Sequence, residues 1–247
     1  MKKLALAGML VLGLTACSSE EPLVLNLYNW SEYMPQEVLD RFQEETGIQV
    51  VYTTYDSNEA MYARLKLLDD SAAYDLAVPS TYYVSKMRQE GLLMPVDRSK
   101  IEGFDQLDPD LTNLDIDPDN QYSIPYLWGT TGLAVDTADV DGDPVTAWED
   151  LWDERFKGRV MLTNDMREVF HVGLRVLGYS GNSTDPDEIE AAYEKLSELM
   201  PSVRTFNSDA PRMPYLEGET DVGMIWIGEA VMGKDTMPSL EYVYPKE

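Results

Sequence analysis

Cysteine and histidine are nearly absent from this chain of 247 residues, which has one of each, Cys17 and His171. A lone cysteine cannot form an internal disulfide, and one cysteine with one histidine leaves no zinc-type ligand set. Basic residues are also scarce. Lys and Arg total 19 against 45 Asp and Glu, giving a formal net charge of −26. That balance argues against nucleic acid as a partner, because phosphate binding needs a basic surface. Long-range attraction favours cations instead, although bulk acidity alone can equally serve solubility. No segment reaches the roughly 20 apolar residues of a spanning helix. G-x-S-x-G, G-x-G-x-x-G and P-loop patterns are missing. Asp115–Asn120 hints at a calcium loop, but it lacks the sixth-place glycine and has Tyr126 where a closing glutamate belongs. The chain therefore reads as a protein without enzymatic chemistry, metal or cofactor.

The N-terminus is what stands out first. Lys2 and Lys3 precede an uncharged stretch, Leu4 to Leu14, of signal-peptide length. Leu14-Thr15-Ala16-Cys17 follows, and the chain turns polar at Ser18. Small residues before a cysteine suit a lipoprotein signal peptidase. Lipidation at Cys17 would also remove an exposed free thiol. The expected layout is a signal peptide at 1–16, a lipidated tether at 17–22, a first α/β lobe at 23–131 and a second at 132–247.

Hydrophobic patterning supports two α/β lobes. Leu23–Tyr28 reads as a buried strand, Pro35–Thr46 as a helix closed by Gly47, and Ile48–Tyr52 as a strand. Strand, helix, strand implies a parallel sheet. A helix at Glu59–Leu68, a strand at Asp75–Val78 and a helix at Tyr82–Glu90 continue the series. Phe104–Asn120 is a loop rich in Asp and Pro. Tyr122–Leu127 and Gly132–Val135 read as extended segments passing between the lobes. The second series is expected as helix Trp148–Phe156, strand Arg159–Leu162, helix Met166–Leu177, helix Pro186–Leu199, and strands Val203–Phe206, Val222–Trp226 and Glu241–Tyr244. With no helix after the last strand, Tyr244–Glu247 reads as a truncated end.

Open parallel sheets bind ligands beyond the carboxyl ends of their strands. Four such ends carry polar and aromatic groups: Asn29-Trp30-Ser31-Glu32-Tyr33, Pro79-Ser80-Thr81-Tyr82-Tyr83, Thr163-Asn164-Asp165-Met166-Arg167-Glu168, and Trp226 with Gly228-Glu229. Arg167 is the single base. Aromatic faces attract cations, and carboxylates accept charge-assisted hydrogen bonds from ammonium groups. Asp165 and Glu168, three apart at a helix start, can share a face. Such a set fits a linear dication or trication. Each residue also has a plainer reading: Trp30 and Trp226 as core, Asp165 as a helix cap, Glu32 as a solvated loop acid, Ser80 and Tyr82 as turn and packing.

From about Leu25 to Glu247 the chain resembles the spermidine/putrescine-binding proteins of bacterial ABC polyamine importers. The likeness runs through Tyr28–Tyr33, Tyr74–Tyr83, Tyr122–Tyr126, Arg167–Phe170, Leu177–Asn182 and Gly223–Trp226, and is nearest to spermidine-preferring members. It implies a two-lobe periplasmic-binding-protein-like fold with a hinge and an interlobe cleft, here without its C-terminal part. It implies ligand contacts at Trp30, Ser31, Glu32, Tyr33, Ser80, Tyr82, Asp165, Glu168 and Trp226. Ser31 stands where relatives often have threonine, Ile227 replaces an asparagine, and Glu229 is an added acid. The implied partners are a polyamine, the membrane permease subunits of an ABC transporter, and the membrane itself through the lipid. The implied setting is the periplasm, with the protein monomeric. A sensory subunit regulating a membrane signalling protein is the alternative.

Overall fold

The structure is a computed structural model, and it describes residues 22–68 and 74–247. The expected signal peptide, Cys17 and most of the tether lie outside the described residues. None of the described helices is long and apolar enough to cross a membrane.

The first lobe is built on a parallel sheet. Strand β1, Val24–Trp30, runs into the core so that its last four residues are buried. Helix α1, Gln36–Thr46, follows, with Pro35 as its N-cap rather than its first helical residue, and Gly47 closes it at φ 72°. That left-handed turn is readily adopted only by glycine. Strand β2, Gln49–Tyr55, pairs with β1 along its whole length, from Val24↔Gln49 to Trp30↔Tyr55. Helix α2, Asn58–Leu67, is capped by Ser57, whose hydroxyl accepts from the Ala60 amide. Strand β3, Leu76–Ala77, pairs parallel on the other side of β1, and helix α3 spans Thr81–Gln89. The strand order is β2-β1-β3. Its core is aromatic: Tyr28, Trp30, Tyr55 and Tyr83 close around Met61 and Met87.

Between the sheets, residues 98–120 form short 3₁₀ turns instead of longer elements. Asp117 holds the end of this loop. Its buried carboxylate accepts from the amides of Gln121, Tyr122 and Ser123 and from the Ser123 hydroxyl. The side chain that hinted at calcium is thus taken up by the loop backbone. Residues 122–127 make no strand pairing, contrary to expectation.

The second sheet is mixed, not simply parallel. Strand β4, Thr131–Asp136, pairs antiparallel with two later strands. The expected helix Trp148–Phe156 is two short 3₁₀ segments, Trp148–Trp152 and Glu154–Phe156. Asp150 accepts from the Thr146 and Ala147 amides, and Asp153 from the Arg155 amide. Such local side-chain bonds compete with a continuous helix. Strand β5 (Val160–Leu162), helices α4 (Met166–Val176) and α5 (Pro186–Leu199), and strand β6 (Val203–Phe206) follow. Helix α6 (Met213–Leu216), strand β7 (Val222–Trp226), helix α7 (Ile227–Thr236) and strand β8 (Leu240–Val243) complete the order β6-β5-β7-β4-β8. Neither α6 nor α7 was expected, and the two glycines of α7 obscure its periodicity. Gly233 lets α7 settle on Leu240 and the stem of Arg212.

Alternation along the central strands separates two cores. Leu133, Val135, Val160, Leu162, Val222 and Met224 face one layer with Trp148, Leu151 and Leu199. Ala134, Met161 and Ile225 face the other with Tyr215, Ala230 and Leu240. Both faces of this sheet are therefore covered, and its free strand ends are left to face the first lobe.

Candidate ligand-binding cleft

The residues beyond the strand ends meet across the gap between lobes. From the first lobe, β1 delivers Trp30 into the aromatic core, with its ring 4.7 Å from Tyr55 and 6.1 Å from Tyr33. From the second, β7 ends at Trp226, which meets Trp30 edge to face at 5.9 Å. Edge-to-face geometry suits the ring quadrupoles. Trp30 is buried in the first lobe's aromatic core, and partly buried Trp226 packs against that core from the opposite lobe.

Polar links join the same lobes. The Ser31 hydroxyl donates to Asp209. The Tyr82 hydroxyl donates to both oxygens of Asp165, at 2.9 and 3.1 Å. Arg212 donates to Glu32 at 3.3 Å. Glu32 sits at φ 64°, a conformation most side chains avoid. Ser80 does not reach the second lobe. Its amide and hydroxyl are both engaged by Asn58, which is fully buried and donates also to the Tyr82 hydroxyl at 2.9 Å and to Asp165 at 3.3 Å.

Asp165 has two tasks. It caps α4 by accepting from the Arg167 and Glu168 amides, and the same buried carboxylate anchors Tyr82. Glu168, one turn on, is partly buried. Burial raises its pKa above the ordinary carboxylate value, and the charge of Asp165 adds to this, against opposing help from Thr131 and Arg167. Tyr33 reports the same crowding. Burial, then the charges of Glu229 and Glu168, with Tyr126 and Asp165 after them, push its phenol up to about 12. Burial and then Asp165 raise Tyr82 as well. Glu229 is also buried and is held by Arg212 at 2.8 Å.

The arrangement is a narrow cleft with two tryptophans on its wall and acids from both lobes on its rim. An open volume of about 400 Å³ lies beside it, between Glu59, Tyr82 and Lys86 on one lobe and Arg167, Phe170 and Asn182 on the other. The Trp30–Trp226 contact itself is closed. Among the described residues no cluster of three or more His, Cys, Asp or Glu side chains could hold a metal.

Sequence reasoning had not singled out Asn58, Asp209 or Arg212. Each follows a strand end that was passed over. Asn58 comes just beyond β2, and Asp209 and Arg212 come just beyond β6. Applying the strand-end rule to every strand finds all three.

With this geometry established, the relatives can be set beside it. Residues 37–247 match the model of the bacterial extracellular solute-binding protein family. The chain belongs to that family. It is 52% identical over 246 residues to the spermidine/putrescine-binding periplasmic protein of Escherichia coli K12, covering 100% of this chain and 70% of that one. It is 33% identical to the putrescine-binding periplasmic protein SpuD of Pseudomonas aeruginosa, over 91% of this chain and 65% of the relative. Among solved structures, a putative spermidine/putrescine ABC transporter protein from Listeria monocytogenes matches with a TM-score of 0.85 and 37% identity, covering 90% of this chain and 68% of that one. The Tp0655 (TpPotD) lipoprotein of Treponema pallidum matches with a TM-score of 0.80 and 30% identity, over 90% and 70%. The fold is that of the periplasmic binding proteins, and the family is one of solute-binding proteins of transporters, not of enzymes.

Proposed function

We propose that this protein captures a linear polyamine, spermidine or putrescine, in the periplasm and delivers it to the permease subunits of an ABC importer. One observation carries the reading: two tryptophans and several carboxylates, contributed by both lobes, converge on one cleft. An alkyl chain bearing ammonium groups needs apolar walls for its methylenes and spaced acids for its nitrogens. The names of the close relatives agree with that chemistry.

Trp30, Ser31, Glu32, Tyr33, Ser80, Tyr82, Asp165, Glu168 and Trp226 are the proposed ligand-binding residues, all but Ser80 by direct contact. Ser80 acts through Asn58, which fixes the Tyr82 hydroxyl. Residues 23–131 and 132–247 are the proposed lobes, and closure about their junction is the proposed signal to the transporter, as in other hinge-closing binding proteins. Cys17 is the proposed lipid attachment point. A Cys17→Ser variant should lose acyl labelling and leave the membrane fraction.

Calorimetric titration of the full-length protein with a panel of polyamines, sugars and amino acids tests the ligand. Micromolar or tighter binding of spermidine or putrescine is expected. Heat with a sugar or an amino acid and none with any polyamine would overturn the assignment.

A further inference from the structure

Arg212 directs its charge at two of the cleft acids, Glu32 and Glu229. It precedes α6, and its stem packs on α7 at Gly233. One guanidinium nitrogen donates to Glu229 at 2.8 Å, and the other terminal nitrogen donates across the lobes to Glu32 at 3.3 Å. The Arg212 amide also points at Glu229, at 3.4 Å. Both members of the Arg212–Glu229 pair are largely shielded, with side-chain exposures of 18% and 7%. A guanidinium cannot deprotonate and offers a planar fork that serves two carboxylates at once. Partial burial works to lower its pKa, but the Glu229 hydrogen bond and the Glu229 and Glu32 charges outweigh this and hold it above its ordinary value.

The acids of the cleft are thus unequal. Asp165 and Glu168 stand together at the start of α4, without a salt-bridge partner among the described residues. Glu229 is matched by Arg212, and Glu32 shares the same cation. An extended polycation entering this cleft meets acids at the α4 end and a fixed guanidinium at the Glu32–Glu229 end. A longer polycation spanning both ends would bring an ammonium against that guanidinium, seated between two carboxylates, whereas a shorter dication would fill only the α4 end.

Building on the polyamine reading above, we propose that Arg212 is a specificity-determining residue that occupies one cation place in the cleft and biases the site toward a diamine over a triamine. Removing Arg212 alone would leave Glu229 buried and unpaired, which is both destabilising and a new ammonium site. The informative change is therefore Arg212→Gln with Glu229→Gln.

Full-length wild type and this double variant are titrated calorimetrically with putrescine and with spermidine. In the double variant, spermidine affinity relative to putrescine should rise about tenfold, whereas Arg212→Lys, which keeps the charge, should hold the wild-type ratio. Polyamine binding with a ratio within about threefold of wild type in the double variant overturns this proposal alone. No heat with either polyamine in any of the three proteins overturns the polyamine reading and this proposal with it. Thermal melts check folding. If the glutamine pair does not fold, a methionine pair takes its place, since buried ion pairs often tolerate apolar residues of similar volume.

Discussion

Glu168→Gln should move stability and binding in opposite directions. In the free protein, burial and the charge of Asp165 raise the Glu168 pKa. A carboxyl with a raised folded-state pKa binds its proton more readily in the folded than in the unfolded protein. Its ionisation therefore subtracts stability as pH rises from the unfolded pKa through the folded one. At neutral pH, glutamine should be neutral or stabilising, because it removes a desolvated charge while keeping a polar group for Thr131. Below the unfolded-state pKa, where the carboxyl is protonated in both states, that advantage should vanish. Binding should respond the other way. A hydrogen bond to a charged partner is worth about 1.5–3 kcal/mol, which is roughly a tenfold to 150-fold loss of polyamine affinity. Wild-type affinity should also fall as pH drops through the raised pKa of Glu168, and the variant should be flatter over that window. Differential scanning calorimetry and isothermal titration across a pH series give both quantities. A variant that binds within about threefold of wild type, or that melts several degrees lower at neutral pH, would show Glu168 to be a packing residue.

Trp226→Ala should weaken polyamine binding more than tenfold, about 1.4 kcal/mol, since the indole closes the cleft wall 5.9 Å from Trp30. Unchanged affinity by titration would remove Trp226 from the site. Gly223→Ala should destabilise the second lobe by at least about 2 kcal/mol, or prevent folding. A Cβ there would lie 2.0 Å from the Met161 carbonyl oxygen on neighbouring β5, and backbone in a paired strand cannot yield. Chemical denaturation reads this, and a midpoint matching wild type would refute it. Asn58→Ala should weaken binding several-fold by freeing Ser80 and Tyr82, with the loss seen in titration and not in the aromatic core's near-ultraviolet signal.

Much of the candidate site was legible because the turns beyond the strand ends of an open parallel sheet share one edge. Once the strands near Leu25, Leu76, Met161 and Met224 were placed from their apolar runs, the turns bearing Trp30 to Tyr33, Ser80 and Tyr82, Asp165 and Glu168, and Trp226 followed from chain order. Helix α5 and strands β6 and β7 have the bounds expected of them, because strong periodicity and an initial Pro186 mark them locally. The 3₁₀ segments at 148–156 were misread, because the Asp150 and Asp153 side chains divert the backbone in a way that periodicity does not encode.

Chain order alone determined two α/β lobes, the overall acidity, and the aromatic and acidic character of the turns. Tertiary structure decided the rest, because the deciding contacts join residues far apart in the chain. Only folding brings Asn58 to within 3.3 Å of Asp165, 107 positions away, and Arg212 to Glu32, 180 positions away. The sequence showed an excess of acids waiting for cations. The fold sets one of the chain's own cations, Arg212, between two of those acids, Glu229 and Glu32.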